Sequence, residues 1–123
     1  MEQISEQVSF AYFDNLYIGQ TDQYVEMLDL YCNEYANHRN GLIEAVTNSD
    51  IEKFRRIKHK LIYSLHLLSL NQFRDRLEEI APVLSTTAED QRHALAHEMS
   101  GQFDMLLESI LQKRQSLGGE NKN

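Results

Sequence analysis

Apolar residues recur at three- and four-residue spacing along almost the whole chain, and no stretch sustains an apolar-polar alternation. That period belongs to helices burying one face, not to strands. Five helices are predicted. A short one over Ser9 to Tyr17 carries Phe10, Phe13 and Leu16 or Tyr17 on one side and closes at Gly19. A long one runs from about Thr21 to Thr47, with Thr21 or Asp22 placed to cap it and a stripe of Tyr24, Leu28, Tyr31, Tyr35, Leu42 and Val46. Gly41 inside that run costs about 1 kcal/mol relative to Ala and predicts a gentle irregularity.

The third helix opens at SDIE, where Ser49 and Glu52 have capping-box spacing, and extends to about Ser69. A fourth spans about Asn71 to Ile80 and is bounded by Pro82. The fifth opens at TTAED, where Thr86 and Glu89 repeat the capping spacing, and its stripe is Leu95, Met99, Phe103, Leu106 and Ile110. Four long helices with short turns predict an all-α fold, an antiparallel four-helix bundle with a short additional N-terminal helix. Residues 1–117 form that single domain, and GGENKN, residues 118–123, reads as a polar disordered tail.

Composition narrows the chemistry. At 123 residues, with 41% hydrophobic and 25% charged residues, the chain can bury one core. Nineteen acidic against twelve basic residues give a net charge of -7, which argues against gripping nucleic-acid phosphates. Cys32 is the single cysteine, so neither an intramolecular disulfide nor a cysteine metal cluster is expected. MEQISEQVSF lacks the basic and apolar segments of a secretory signal, and no apolar run spans a bilayer, so a cytoplasmic protein without a membrane partner is expected.

KHKLIYSLHLLSL, from Lys58 to Leu70, raises the one chemical question. With about 100° of rotation per residue and Phe54 as origin, Ile57, Leu61, Leu65 and Leu68 lie within about 60° of it and form the core face. Arg55, His59, Tyr63 and His66 fall about 100° to 180° away, with Ile62 at the margin. His59 therefore points outward, among Ile62, Tyr63 and the cations Arg55, Arg56, Lys58 and Lys60. A lone exposed histidine is most simply a solvated residue. A half-apolar, half-basic surface around it also suits an acidic partner or a phosphoryl group.

The order of elements, over nearly the whole chain, resembles the histidine phosphotransfer (HPt) domain family, and three stretches carry the likeness. FDNLYIGQTDQYVEMLDLY, from Phe13 to Tyr31, is similar to that family's short helix, turn and second helix. NSDIEKFRRIKHKL, from Asn48 to Leu61, resembles its capped approach to the phospho-accepting histidine, which falls on His59. SLNQFRDRLEEI, from Ser69 to Ile80, is similar to its turn into the next helix. The family's His-x-Leu-Lys-Gly pattern reads His59, Lys60, Leu61, Ile62, Tyr63 here, so Ile62 and Tyr63 replace the Lys and the Gly.

The resemblance implies a phosphocarrier without intrinsic kinase activity, relaying a phosphoryl group between receiver-domain aspartates. His59 is then the acceptor. Arg55, Lys60 and His66 support the phosphoryl group, and Ile62, Tyr63 and Arg56 dock the partner, a response-regulator receiver domain or a hybrid histidine kinase. No cofactor or metal is implied, and the chain acts as a monomer. A neutral imidazole, whose ordinary pKa is about 6.5, has a free ring nitrogen competent to attack an aspartyl phosphate.

Other readings stay open. The same fold could bind a receiver or kinase through Ile62 and Tyr63 without accepting phosphate, or hide Tyr63 in a homodimer. HALAH places His93 and His97 one turn apart, but Ala94 stands where the zincin motif needs Glu, which leaves surface histidines as the simpler account.

Overall fold

The computed structural model describes residues 6–118 of the chain. They form α1 (Ala11–Leu16), α2 (Thr21–Thr47), α3 (Ile51–Leu67), α4 (Asn71–Ile80), a 3₁₀ helix (Ala81–Thr86) and α5 (Glu89–Gly118). The fold is all-α, with no strand among the described residues. Gly118 is still helical, and the rest of the proposed tail lies outside the described residues.

α2 has the span its stripe predicts, and Tyr24, Leu28, Tyr35, Leu42 and Val46 are buried while Tyr31 is half-buried. Its N-cap is Gln20, with no side-chain hydrogen bond, so neither Thr21 nor Asp22 does that work. Gly41 leaves the helix uninterrupted. A Cβ there would come 2.6 Å from Ile57 Cδ1, so the glycine leaves room for the end of the Ile57 side chain of α3.

The α2–α3 turn explains a shift of one residue in the expected cap. Ser49 takes φ 55° and donates its amide to Val46 O, while the Asp50 amide reaches Ala45 O, the paired bonds of a Schellman ending. A residue used to end α2 cannot also begin α3. Asp50 is the N-cap instead, accepting from the Lys53 amide at 3.1 Å, and Ser49 Oγ donates to Leu84 O. Thr86 does not cap α5, because it ends the 3₁₀ helix three residues before Glu89, and its hydroxyl donates to Val83 O.

α3 ends in the same way, with Ser69 at φ 62° and amide bonds from Ser69 to His66 O and from Leu70 to Leu65 O. Left-handed backbone costs an L-residue about 1–2 kcal/mol, and Ser69 is exposed without a side-chain bond among the described residues. Ser69→Gly is therefore expected to stabilise the protein by about 1 kcal/mol. An unchanged or lower urea midpoint at constant slope would contradict that.

Side-chain contacts show which helices pack on one another. Tyr35 meets Ser64 and Glu44 meets Lys53 across α2 and α3, and Lys58 meets Glu78 across α3 and α4. Phe73 packs edge-on against Phe103, and Arg76 pairs with Glu98, across α4 and α5. Asp29 with Arg114 and Arg39 with Asp104 tie α2 to α5, the most extensive of these interfaces. Phe54, Leu61, Leu65, Phe73, Leu77, Leu84, Met99, Phe103 and Ile110 are wholly buried between them.

The segment before α1 crosses the α3–α4 corner. The Ser9 amide donates to Leu68 O at 2.9 Å, and the Glu6 carboxylate accepts the amides of Gln72 and Phe73 at 2.9 and 2.7 Å. Those amides belong to the first turn of α4, whose N-cap, Leu70, has no side-chain acceptor to offer. Glu6 is thus a cap delivered from far away in sequence. Glu6→Ala is expected to cost about 1 kcal/mol and to speed amide exchange at positions 72 and 73. Unchanged exchange there would show that the carboxylate is not holding the helix end.

α1 is fastened by Asp14, which accepts from Tyr24 Oη at 2.8 Å and pairs with Lys113 Nζ at 2.8 Å. The Lys113 ammonium also lies 5.6 Å from the Phe10 ring centroid and 5.7 Å from that of Tyr24. The Lys113 hydrogen bond, more than the opposing burial, holds the Asp14 carboxyl below its ordinary range. A depressed carboxyl stabilises the fold above its unfolded pKa and loses that contribution as pH falls through the folded one. The group is half exposed, so Asp14→Asn is expected to flatten the acid limb of the stability curve by only about 0.5 kcal/mol. Equal acid limbs in urea titrations of the two proteins would count against the clasp.

Candidate functional site

The site is built on α3, whose register is fixed at both ends. Asp50 caps its start, and its core face of Phe54, Ile57, Leu61 and Leu65 is buried. Rotation then carries His59 to the outside, where it is exposed and makes no hydrogen bond or ion pair among the described residues. Ser64, five positions on, accepts from Tyr35 Oη at 2.6 Å and donates to Leu61 O, which ties this part of α3 to α2. Burial is the main force pushing the Tyr35 phenol upward, so it stays a neutral donor.

Of the four cations expected around His59, one is committed elsewhere. Lys58 Nζ is 2.6 Å from Glu78 Oε1 on α4. Arg55 and Arg56 are exposed and form no ion pair among the described residues, and the same is true of Lys60. Arg55 lies one turn before His59, on nearly the same face. The charge of Lys60 adds to the burial that lowers the pKa of His38 on α2, against the opposing pull of Glu34.

Tyr63 is 68% exposed and Ile62 is half-buried. Tyr63 shares a neighbourhood with Tyr31, whose phenol is pushed up by burial first and then by Glu34, Tyr17, Tyr12 and Tyr63. Tyr12 on α1 is itself 46% exposed. The outer surface thus runs from a basic stretch at Arg55 and Arg56, past His59, to an aromatic stretch shared by α1, α2 and α3.

His66 belongs to a different cluster. Its Nδ1 lies 3.2 Å from Asn71 Oδ1 and 3.3 Å from an Arg74 guanidinium nitrogen, and Arg74 in turn pairs with Asp75. Seven residues of helix separate it from His59 by about 10 Å along the axis. His93 and His97 are both exposed on α5, and His93 Nε2 is 3.8 Å from the Glu89 carboxylate.

His38 is the residue that pattern reading passed over. It stands three positions after the buried Tyr35, at the spacing that turns it toward α3, and this spacing was the available signal. Chemically, the arrangement offers one unencumbered imidazole, two unpaired guanidinium groups close by, and an apolar border. No family model matches the sequence, and neither a curated protein nor a solved structure matches the chain.

Proposed function

We propose that this protein is a histidine phosphotransfer protein, relaying a phosphoryl group between receiver-domain aspartates in the cytoplasm. In this reading α2 to α5 form an antiparallel four-helix bundle and α1 is its short additional helix. One observation carries the proposal. The His59 imidazole is displayed midway along α3 with no hydrogen-bonded or ionic partner among the described residues.

A neutral ring nitrogen of His59 attacks the phosphorus of an aspartyl phosphate. The N–P bond forms as the P–O bond to the aspartate breaks, and the carboxylate leaves with the bonding pair. The transition state is loose, so catalysis is mostly positioning and neutralisation of oxygen charge. Arg55 and Lys60 are the closest candidates for that neutralisation on this chain, and His66 is farther along the helix. The receiver supplies the remaining acidic and cationic machinery. Ile62, Tyr63 and Arg56 meet the receiver's surface.

Tyr63 supports a second reading. A phenol standing where the resembled family has Gly fills the space beside the histidine, as it would in an adaptor that docks a receiver or histidine kinase without taking its phosphate. The two readings separate when the protein is incubated with a receiver carrying labelled aspartyl phosphate. Acid-labile, base-stable label on this chain supports the carrier. A complex without label supports the adaptor, and neither label nor complex removes both.

A further inference from the structure

A groove of about 340 Å³ opens between α4, the 3₁₀ helix and α5, and no residue of α3 lines it. Its floor and wall are apolar, formed by Ile80, Val83 and Leu95. Val83 is 49% exposed, yet its backbone is held firmly. Pro82 precedes it, and its carbonyl accepts from both Thr86 Oγ1 at 3.1 Å and Thr87 Oγ1 at 2.7 Å. A branched apolar side chain is thereby presented to solvent on a braced turn, next to a cleft it does not fill.

The rim is acidic. Arg76 spans the opening, with its guanidinium 2.8 and 3.1 Å from the two Glu98 oxygens and 3.3 Å from Glu79 Oε1. That one cation answers two carboxylates. Glu79 and Glu98 line the groove against Arg76 alone, and Glu89 and Asp90 stand in the first turn of α5, just before its lining residue Gln91. Arg92 is turned to the carbonyls of Thr47 and Thr87, and neither Glu89 nor Asp90 pairs with a lysine or arginine among the described residues.

We infer that this groove docks a cationic amphipathic helix of a partner protein, whose apolar side chains seat on Val83, Ile80 and Leu95 while its lysines and arginines face Glu79, Glu89, Asp90 and Glu98. Charge complementarity selects the sign of the partner, and the apolar floor selects its amphipathicity. The groove is independent of the His59 surface, so a partner held here leaves α3 open.

The probe is a fluorescein-labelled amphipathic peptide of leucines and lysines at helical spacing, with a counterpart in which every lysine is glutamate. The cationic peptide is expected to bind the full-length protein and to shift the amide resonances of residues 80, 83, 87, 94 and 95. Val83→Asp and, separately, Glu79→Lys are each expected to weaken binding about tenfold or more. Both positions are at the surface, so one variant still decides the matter should the other misfold. Shifts scattered over the other acidic stretches, equal binding of the glutamate peptide, unchanged affinity in the folded variants, or no binding would each overturn the inference.

Discussion

His59→Gln is expected to reduce acid-labile phosphate uptake from a labelled receiver to background while leaving receiver binding and stability in place. Glutamine keeps a polar side chain of similar reach but has no nucleophilic ring nitrogen. The native imidazole is exposed and makes no hydrogen bond or ion pair among the described residues, so its loss should change the unfolding free energy by less than about 0.5 kcal/mol. Uptake measured beside a urea titration separates chemistry from folding. Label persisting on the variant would move the acceptor elsewhere and end the proposed role of His59.

Phe103→Ala should have the largest effect on stability. Phe103 is fully buried, and its ring meets Phe73 edge-on at 5.2 Å and 81°, at the contact between α4 and α5. Truncating a core phenylalanine costs about 3–5 kcal/mol, part of it from the cavity that remains, and the edge-to-face pair contributes about 0.5–1.5 kcal/mol of its own. Against the roughly 5–15 kcal/mol that holds a domain together, the loss is severe. Phe103→Leu fills most of the volume and should cost clearly less. A loss below about 1 kcal/mol for the alanine variant would mean that the α4–α5 contact is not packed as described.

Much of the fold is legible in the sequence because it depends on local period. The span of α2 follows from its apolar stripe, and the outward direction of His59 follows from the core face of α3. What escapes is whatever depends on a distant partner. Gly41 reads as a weak point in a helix until Ile57 is seen to occupy its missing side chain's space. Glu6 has no local signal at all, since the amides it caps lie at Gln72 and Phe73.

Serine at the two left-handed helix ends shows a subtler limit. SDIE contains two residues able to cap, and only the tightness of the turn decides that Ser49 ends one helix while Asp50 starts the next. Around His59 the sequence names the cations but not their commitments. Lys58 is equivalent to its neighbours on paper, and its pairing with Glu78 takes it out of the site. His38 is missed for the converse reason, because its burial depends on how α2 and α3 cross.

The long seam between α2 and α5 has a consequence for how the polypeptide reaches this shape. Asp29 waits for Arg114 and Arg39 for Asp104, with α3, α4 and the 3₁₀ turn all threaded between. Bringing such remote segments together has an entropic cost that local hairpins avoid, and it slows folding. Until the final helix returns, the face of α2 that carries Asp29 and Arg39 lacks the cover that α5 gives it. A chain still emerging from the ribosome therefore carries a greasy flank in search of company, and the thirty residues of α5, made after α2, α3 and α4, are the ones that close it.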